Sequence, residues 1–192
     1  PVKHTALGRF KHEAATIQVA TDGRVVCYMG DGDRFEYIYK FVSDERMAPG
    51  SSDRDHNKRL LDAGTLYVAR FEFTSAGEID GTGKLPSDGA FDGSGTWIPL
   101  AHNDQSFVPG FTADEVYVFT RLAADAVGAT KMDRPEDVQP NPLTGLIYAA
   151  LTNNTSRGLA GQPGPDEANP RIINRHGHVL ELEELDGDHT AA

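Results

Sequence analysis

Glu13, in the stretch GRFKHEAA, and Glu136, in RPED, each stand just ahead of a short apolar run, and an internal echo pairs them. When HEAATIQVATDGRVVCYMGD (12–31) is laid on PEDVQPNPLTGLIYAALTN (135–153), Glu13 falls on Glu136 and the Asp22-Gly23 turn on Thr144-Gly145. Asp31 falls on Asn153, with one residue fewer in the second copy. Each copy reads as a carboxylate, a strand, a turn, a return strand and an oxygen-bearing side chain. Carboxylates that converge from equivalent places repel one another unless cations neutralise them, because like charges a few Å apart raise each other's pKa. Calcium, a hard ion that takes about six to eight oxygen ligands, suits such donors. Blander readings stand beside this one. Glu13 is equally a strand-end carboxylate that accepts from a backbone N–H or an arginine, and Asp31 and Asp33 of GDGD equally shape a loop. Asn153 and Asn154 read first as turn caps.

Other patterns fail on inspection. DRDHN (53–57) begins like a calcium-binding EF-hand loop, but its sixth position is Lys58 and its twelfth Gly64, where the loop needs Gly and Glu. His176 and His178 flank Gly177 in a hairpin tip and read as solvated turn residues before they read as a zinc pair. No Ser/His/Asp arrangement, phosphate-binding loop or dinucleotide fingerprint is visible.

The elements that must position these groups are mostly strands. Thr16–Ala20 and Arg24–Met29 around Thr21-Asp22-Gly23 read as a hairpin. Phe35–Val42, Thr65–Phe73 and Leu146–Thr152 read as strands, as does Arg171–Glu184 with a break at Asn174–His178. Residues 44–63 are polar and breaker-rich and are expected to form a long loop; Ser75–Gly95 is rich in Gly and Asp. A single helix is predicted over Asp114–Val127. Thr112 and Glu115 form a capping box, Val116, Phe119, Leu122, Ala123 and Ala126 an apolar face, and Gly128 a stop. Repeated hairpin units point to β-propeller blades, a mainly β partial propeller with one α-helix insertion, in which the innermost strands bring Glu13 and Glu136 to one axis.

Composition agrees with a turn-rich β chain: 192 residues, 39% hydrophobic, 8% aromatic, 20 Gly and 11 Pro. A net charge of −11 disfavours a nucleic-acid partner or an anionic membrane surface. Cys27, the one cysteine, excludes an internal disulfide and a cysteine-rich zinc site. No apolar run spans a membrane and no leader is visible, and the start at Pro1 reads as that of a piece excised from a longer protein.

Several segments carry a more specific signal. GRFKHEAA, GDGDRFEYIYKFVS, TRLAADAVGATKMDRPEDVQPNPLTGLIYAALTNN, DEANPR and NRHGHVLELEE followed by GDHTA resemble the central part of the PhoX-type bacterial alkaline phosphatases, GATKMDRPED being the most specific. The resemblance implies a propeller whose axial site binds calcium and iron and hydrolyses small phosphate monoesters, in a protein exported to the periplasm or secreted by the twin-arginine route. It implies metal-binding roles for Glu13, Asp31 and Glu136, and for Arg134 a place facing the substrate phosphate, which its planar fork fits.

The resemblance also implies an iron-ligating cysteine in an NCAGG-like segment followed by a Trp- and Glu-containing run, and no such segment precedes Glu13; Cys27, in RVVCYMG, does not match it. Residues 1–192 are therefore expected to be a single domain, an internal part of a larger propeller phosphatase with an incomplete site. Open sheet edges would invite self-association. A calcium-dependent lactonase-like propeller hydrolase, which would not need Arg134, and a non-catalytic binding propeller are the alternatives.

Overall fold

A computed structural model describes residues 2–48 and 53–192; part of the expected 44–63 loop, residues 49–52, lies outside the described residues. Strands β1 (Thr16–Val19), β2 (Arg24–Gly30), β3 (Ile38–Arg46), β4 (Gly64–Phe73), β5 (Gly93–His102) and β6 (Gln105–Ser106) pair in chain order as one antiparallel sheet. Strands β7 (Pro135–Pro140), β8 (Ile147–Leu151) and β9 (His178–Leu182) form a second. Both copies of the echo thus become antiparallel meanders, β1-β2-β3 and β7-β8-β9. The architecture is mainly β with a few short helices, and the sheets of the described residues are open, without the closure of a propeller.

The six-stranded sheet is covered on both faces, which explains why β2 reads as an unbroken apolar run and not as an alternation. On one face Cys27, Met29, Tyr39, Phe41, Leu66 and Val68 pack against Val116, Ala123 and Ala124. On the other, Val26, Tyr28, Ile38 and Trp97 pack against Val138, Ile147, Ala149 and Leu151 of the second sheet. Each fully buried side chain of this size contributes roughly 1.5–3 kcal/mol, so the second sheet is held to β2 chiefly by apolar burial. β1, at the sheet edge, is different: its residues alternate half-buried and exposed, so Glu13 precedes an edge strand and not a buried one.

The predicted helix is two helices, α2 (Ala113–Val118) and α3 (Thr120–Ala126), broken at Phe119. The Thr112–Glu115 capping box forms as expected. The break follows from Thr120, whose buried hydroxyl donates back to the carbonyls of Val116 and Tyr117 and accepts from the backbone N–H of Arg9, a bonding pattern that bends helices. Phe119, Leu122 and Ala126 consequently leave the expected apolar face and are exposed. Gly8 (φ 81°) lies where a Cβ would come within 2.8 Å of that hydroxyl, so GRFKHEAA is moored to the break between the helices.

Three other boundaries shift. The strand expected from Phe35 starts at Ile38, because Phe35 turns through a left-handed conformation (φ 66°), and it runs to Arg46, into the expected loop. That loop also contains α1 (Arg54–Asn57), capped by Asp53. Only His178–Leu182 of the expected Arg171–Glu184 strand pairs, since Asn174 and Arg171 are drawn into isolated bridges with Asn154 and Thr82.

Candidate functional site

The carboxylates singled out from the sequence lie where the moored segment 8–13, the end of β2, α3 and the start of β7 come together. Two glycines make this possible. A Cβ on Gly30 would lie 2.5 Å or less from the backbone carbonyls of Pro135 and Glu136, so only glycine lets the end of β2 approach the start of β7 this closely. A Cβ on Gly32 would lie 2.4 Å from Glu13 Cγ and Oε1, so the Glu13 side chain rests directly on that backbone. The N–H of Glu13 donates to the Gly30 carbonyl at 3.3 Å, and His12 and Asp31 form an antiparallel bridge.

Arg134 enters from the other side. Its Nε donates to the Gly32 carbonyl at 2.9 Å, and a terminal nitrogen lies 3.4 Å from Glu136 Oε1. Glu136 Oε1 also accepts from the Thr152 hydroxyl at 3.0 Å. Glu13 and Arg134 therefore share one peptide, Gly32, and Arg134 and Glu136 pair beside it. The remaining N–H groups of the Arg134 fork make no hydrogen bond to another described residue, and its side chain is 28% exposed. A guanidinium held by one edge with its other donors unspent is suited to two oxygens of a phosphate. The residue occupies a left-handed backbone conformation (φ 57°) just before Pro135.

Asp31 is engaged differently. It is fully buried, and Arg121 of α3 grips it with two hydrogen bonds, Nε to Oδ2 at 2.7 Å and a terminal nitrogen to Oδ1 at 2.6 Å. The same guanidinium reaches Asp33 at 3.0 Å and lies 3.6 Å from Glu36. Hydrogen bonding to the Asp31 carboxylate raises the Arg121 pKa further above its ordinary range, so it stays a cation. Burial pushes Asp33 upward, but Arg121 and Lys11 outweigh it and hold that carboxyl below the usual range. Glu36 goes the other way: burial lifts it to about 7, and the charges of Asp31 and Asp125 add to the rise while Arg121 opposes it. Glu36 Oε2 is buried without a hydrogen-bond partner.

Of the four sequence-derived residues, the structure thus groups Glu13, Arg134 and Glu136 around Gly32 and places Asp31 beside them in the hold of Arg121. Arg134 pairs with Glu136 and not with its neighbour Asp133, which is bound to Arg157. Arg121, Thr152 and the close-approach role of Gly30 and Gly32 escaped sequence reading, although GDGD itself, two glycines alternating with acids, was the available signal. Asn154 caps a turn, accepting from the Ser156 N–H, as expected. His178 is not a solvated turn residue, since its ring bonds the Ala168 carbonyl at 2.7 Å and is partly buried.

The carboxylate oxygens of Glu13 and Glu136 are of the donor type calcium takes. Among the described residues, however, no three His, Cys, Asp or Glu side chains are placed to hold a metal ion together. Cys27 does not fit an iron thiolate: it is buried in the sheet and burial pushes its thiol up to about 12. No helix among the described residues is long and apolar enough to cross a membrane.

Comparison with known proteins identifies the family. A family model described as alkaline phosphatase PhoX matches residues 1–192. No curated protein matches the chain. Among solved structures, Pseudomonas fluorescens PhoX in complex with vanadate, a transition state analogue, is 44% identical, with a TM-score of 0.81 over 100% of this chain and 31% of that one. The chain therefore spans about a third of the length of that protein. With the match running from its first residue to its last, the chain belongs to the PhoX alkaline phosphatase family.

Proposed function

We propose that this chain supplies the phosphate-facing arginine and two of the metal-binding carboxylates of a metal-dependent phosphomonoesterase. The observation that carries the reading is Arg134, held by Gly32 and Glu136 along one edge with its remaining donors unspent, between Glu13 and Glu136. In this reading Arg134 binds and orients the phosphate of a small monoester through paired N–H donors. Glu13 and Glu136 are the ligands offered to calcium; Asp31 joins them only if Arg121 releases one of its oxygens. The further donors, and any iron site, belong to parts of the protein beyond these residues. Calcium held by these carboxylates would polarise the phosphoryl group. The two meanders are then blades of a larger propeller, and the site of action is the periplasm or the exterior, as export of the family implies. Vanadate, bound by the P. fluorescens protein as a transition state analogue, fits the same arginine chemistry.

The test uses the full-length protein that contains this chain. Arg134→Ala is expected to lose p-nitrophenyl phosphate turnover with calcium content intact, and Glu136→Ala to lower calcium binding in a calorimetric titration. Turnover of a lactone that survives Arg134→Ala would instead favour the lactonase-like alternative, and unchanged phosphatase turnover in Arg134→Ala would refute the phosphate role.

A further inference from the structure

A second, fully buried polar cluster lies directly behind Arg134. Asp133 is 0% exposed and Arg157 about 1%. Arg157 Nε donates to Asp133 Oδ1 at 2.6 Å, and its two terminal nitrogens donate to the carbonyls of Lys131 and Gly164, each at 2.6 Å. The guanidinium also sits over the ring of Phe35, 5.4 Å from its centroid. The other Asp133 oxygen accepts from Asn174 Nδ2 at 2.9 Å, and the Asp133 N–H donates to Asn169 Oδ1 at 3.0 Å. Asn169 also reaches the Lys131 carbonyl and Asp166. Residues 131 and 133 are thus clamped, through carbonyl, side chain and N–H, by residues 24 or more positions further along the chain.

What the clamp acts on is the residue that follows. Arg134 is a non-glycine residue with φ 57° that immediately precedes a proline. The left-handed region is unfavourable for side chains with a Cβ, and a following proline biases the residue toward extended conformations. Such a conformation persists only where the surroundings over-determine it. On the far side, the Thr152 N–H holds the Arg134 carbonyl at 3.3 Å. The cluster touches neither Glu13 nor Glu136, and every donor of the Arg157 fork that the structure pairs is spent on Asp133 and the loop carbonyls. Asp133 also bridges Arg34 of the neighbouring loop, but among the site residues Arg134 is the one joined directly to the cluster, through the Asp133–Arg134 peptide.

We propose that Arg157 and Asp133 are positioning residues that hold Arg134 in its left-handed conformation and so aim its guanidinium at the substrate phosphate; this rests on the phosphate role proposed for Arg134. Displacement of a binding group by about 1 Å can cost about 10²-fold in rate. Arg157→Lys keeps the charge and loses the three-way fork. In the full-length, metal-loaded protein it is expected to lower kcat/KM for p-nitrophenyl phosphate by up to about 10²-fold, and to weaken inorganic phosphate binding by calorimetry, with calcium content unchanged. The same substitution added to Arg134→Ala is expected to change either quantity by no more than about twofold, because residues that act through one another are not additive. A merely structural role would instead cost the same factor in both backgrounds and would overturn the inference while leaving the Arg134 assignment standing. If Arg134→Ala alone changes neither turnover nor phosphate affinity, the assignment of Arg134 falls and this inference with it. Should Arg157→Lys not fold, Asn174→Ala, which removes one hydrogen bond from Asp133 and spares the ion pair, is judged by the same two backgrounds.

Discussion

Glu36 offers a direct test of the electrostatics around Arg121. Its side chain is 21% exposed, one oxygen is buried without a partner, and its nearest cation, Arg121, lies 3.6 Å away while committed to Asp31 and Asp33. Burial lifts its pKa from an ordinary 4.5 to about 7. Between those values the folded chain holds a proton that the unfolded chain has released, so stability falls as pH rises through this window and the whole penalty is present above it. At about 1.36 kcal/mol per pH unit the penalty is about 3 kcal/mol, or about 2 after allowance for the partial exposure of the side chain. Glu36→Gln presents a permanently neutral group of the same shape. It is expected to match the parent near pH 4 and to be more stable by about 2 kcal/mol at pH 8, a rise in Tm of about 4–8 °C. Urea unfolding of both proteins across this range reads the difference. A difference that stays constant with pH, or that favours the parent at pH 8, would refute the reasoning.

Two further perturbations probe the packing of the sheets. Gly30→Ala forces a Cβ against the Pro135 and Glu136 carbonyls; a loss of about 1–3 kcal/mol is expected, and an unchanged thermal midpoint would mean that the β2–β7 approach is looser than described. Glu184 accepts from Lys40 Nζ at 3.0 Å, from the Tyr28 hydroxyl at 2.7 Å and from Trp97 Nε1 at 3.1 Å, and Lys40 is completely buried. Glu184→Ala leaves that cation with the Ala191 carbonyl and the Trp97 ring but no counter-charge and is expected to cost about 3–5 kcal/mol, followed by Trp97 fluorescence in urea; a loss under about 1 kcal/mol would show that the cluster adapts.

Strand identity was legible in the sequence wherever turn chemistry bracketed an apolar run. Asp22-Gly23 between Thr16–Val19 and Arg24–Gly30 is the clearest case, and the echo with residues 135–153 survives as a second meander. Helix continuity was not legible, because the break at Phe119 is made by Thr120 reaching back along its own helix and by Arg9, 111 residues away. For the site, carboxylates and arginine could be singled out by type and position, but not which acid an arginine serves. That choice is tertiary: Arg121 reaches Asp31 from α3, 90 residues along the chain.

The two arginines of the site are not equivalent, and the difference bears on what a phosphate would meet. Arg121 is spent: both Asp31 oxygens and one of Asp33 engage it, so it neutralises an acidic loop that would otherwise repel itself. Arg134 is engaged along one edge only, by a neutral carbonyl and a single carboxylate oxygen. Charge alone would suit either to a phosphate; the hydrogen-bond inventory is what favours Arg134 for the role proposed here. The cost of its left-handed backbone, about 1–3 kcal/mol by type, is borne beside a buried clamp that also ties the 157–174 segment to Lys131 and Asp133. A residue that served only to balance Glu136 could do so from an unstrained conformation. The strain and the clamp make sense together if what matters is the direction in which the unspent half of the guanidinium points.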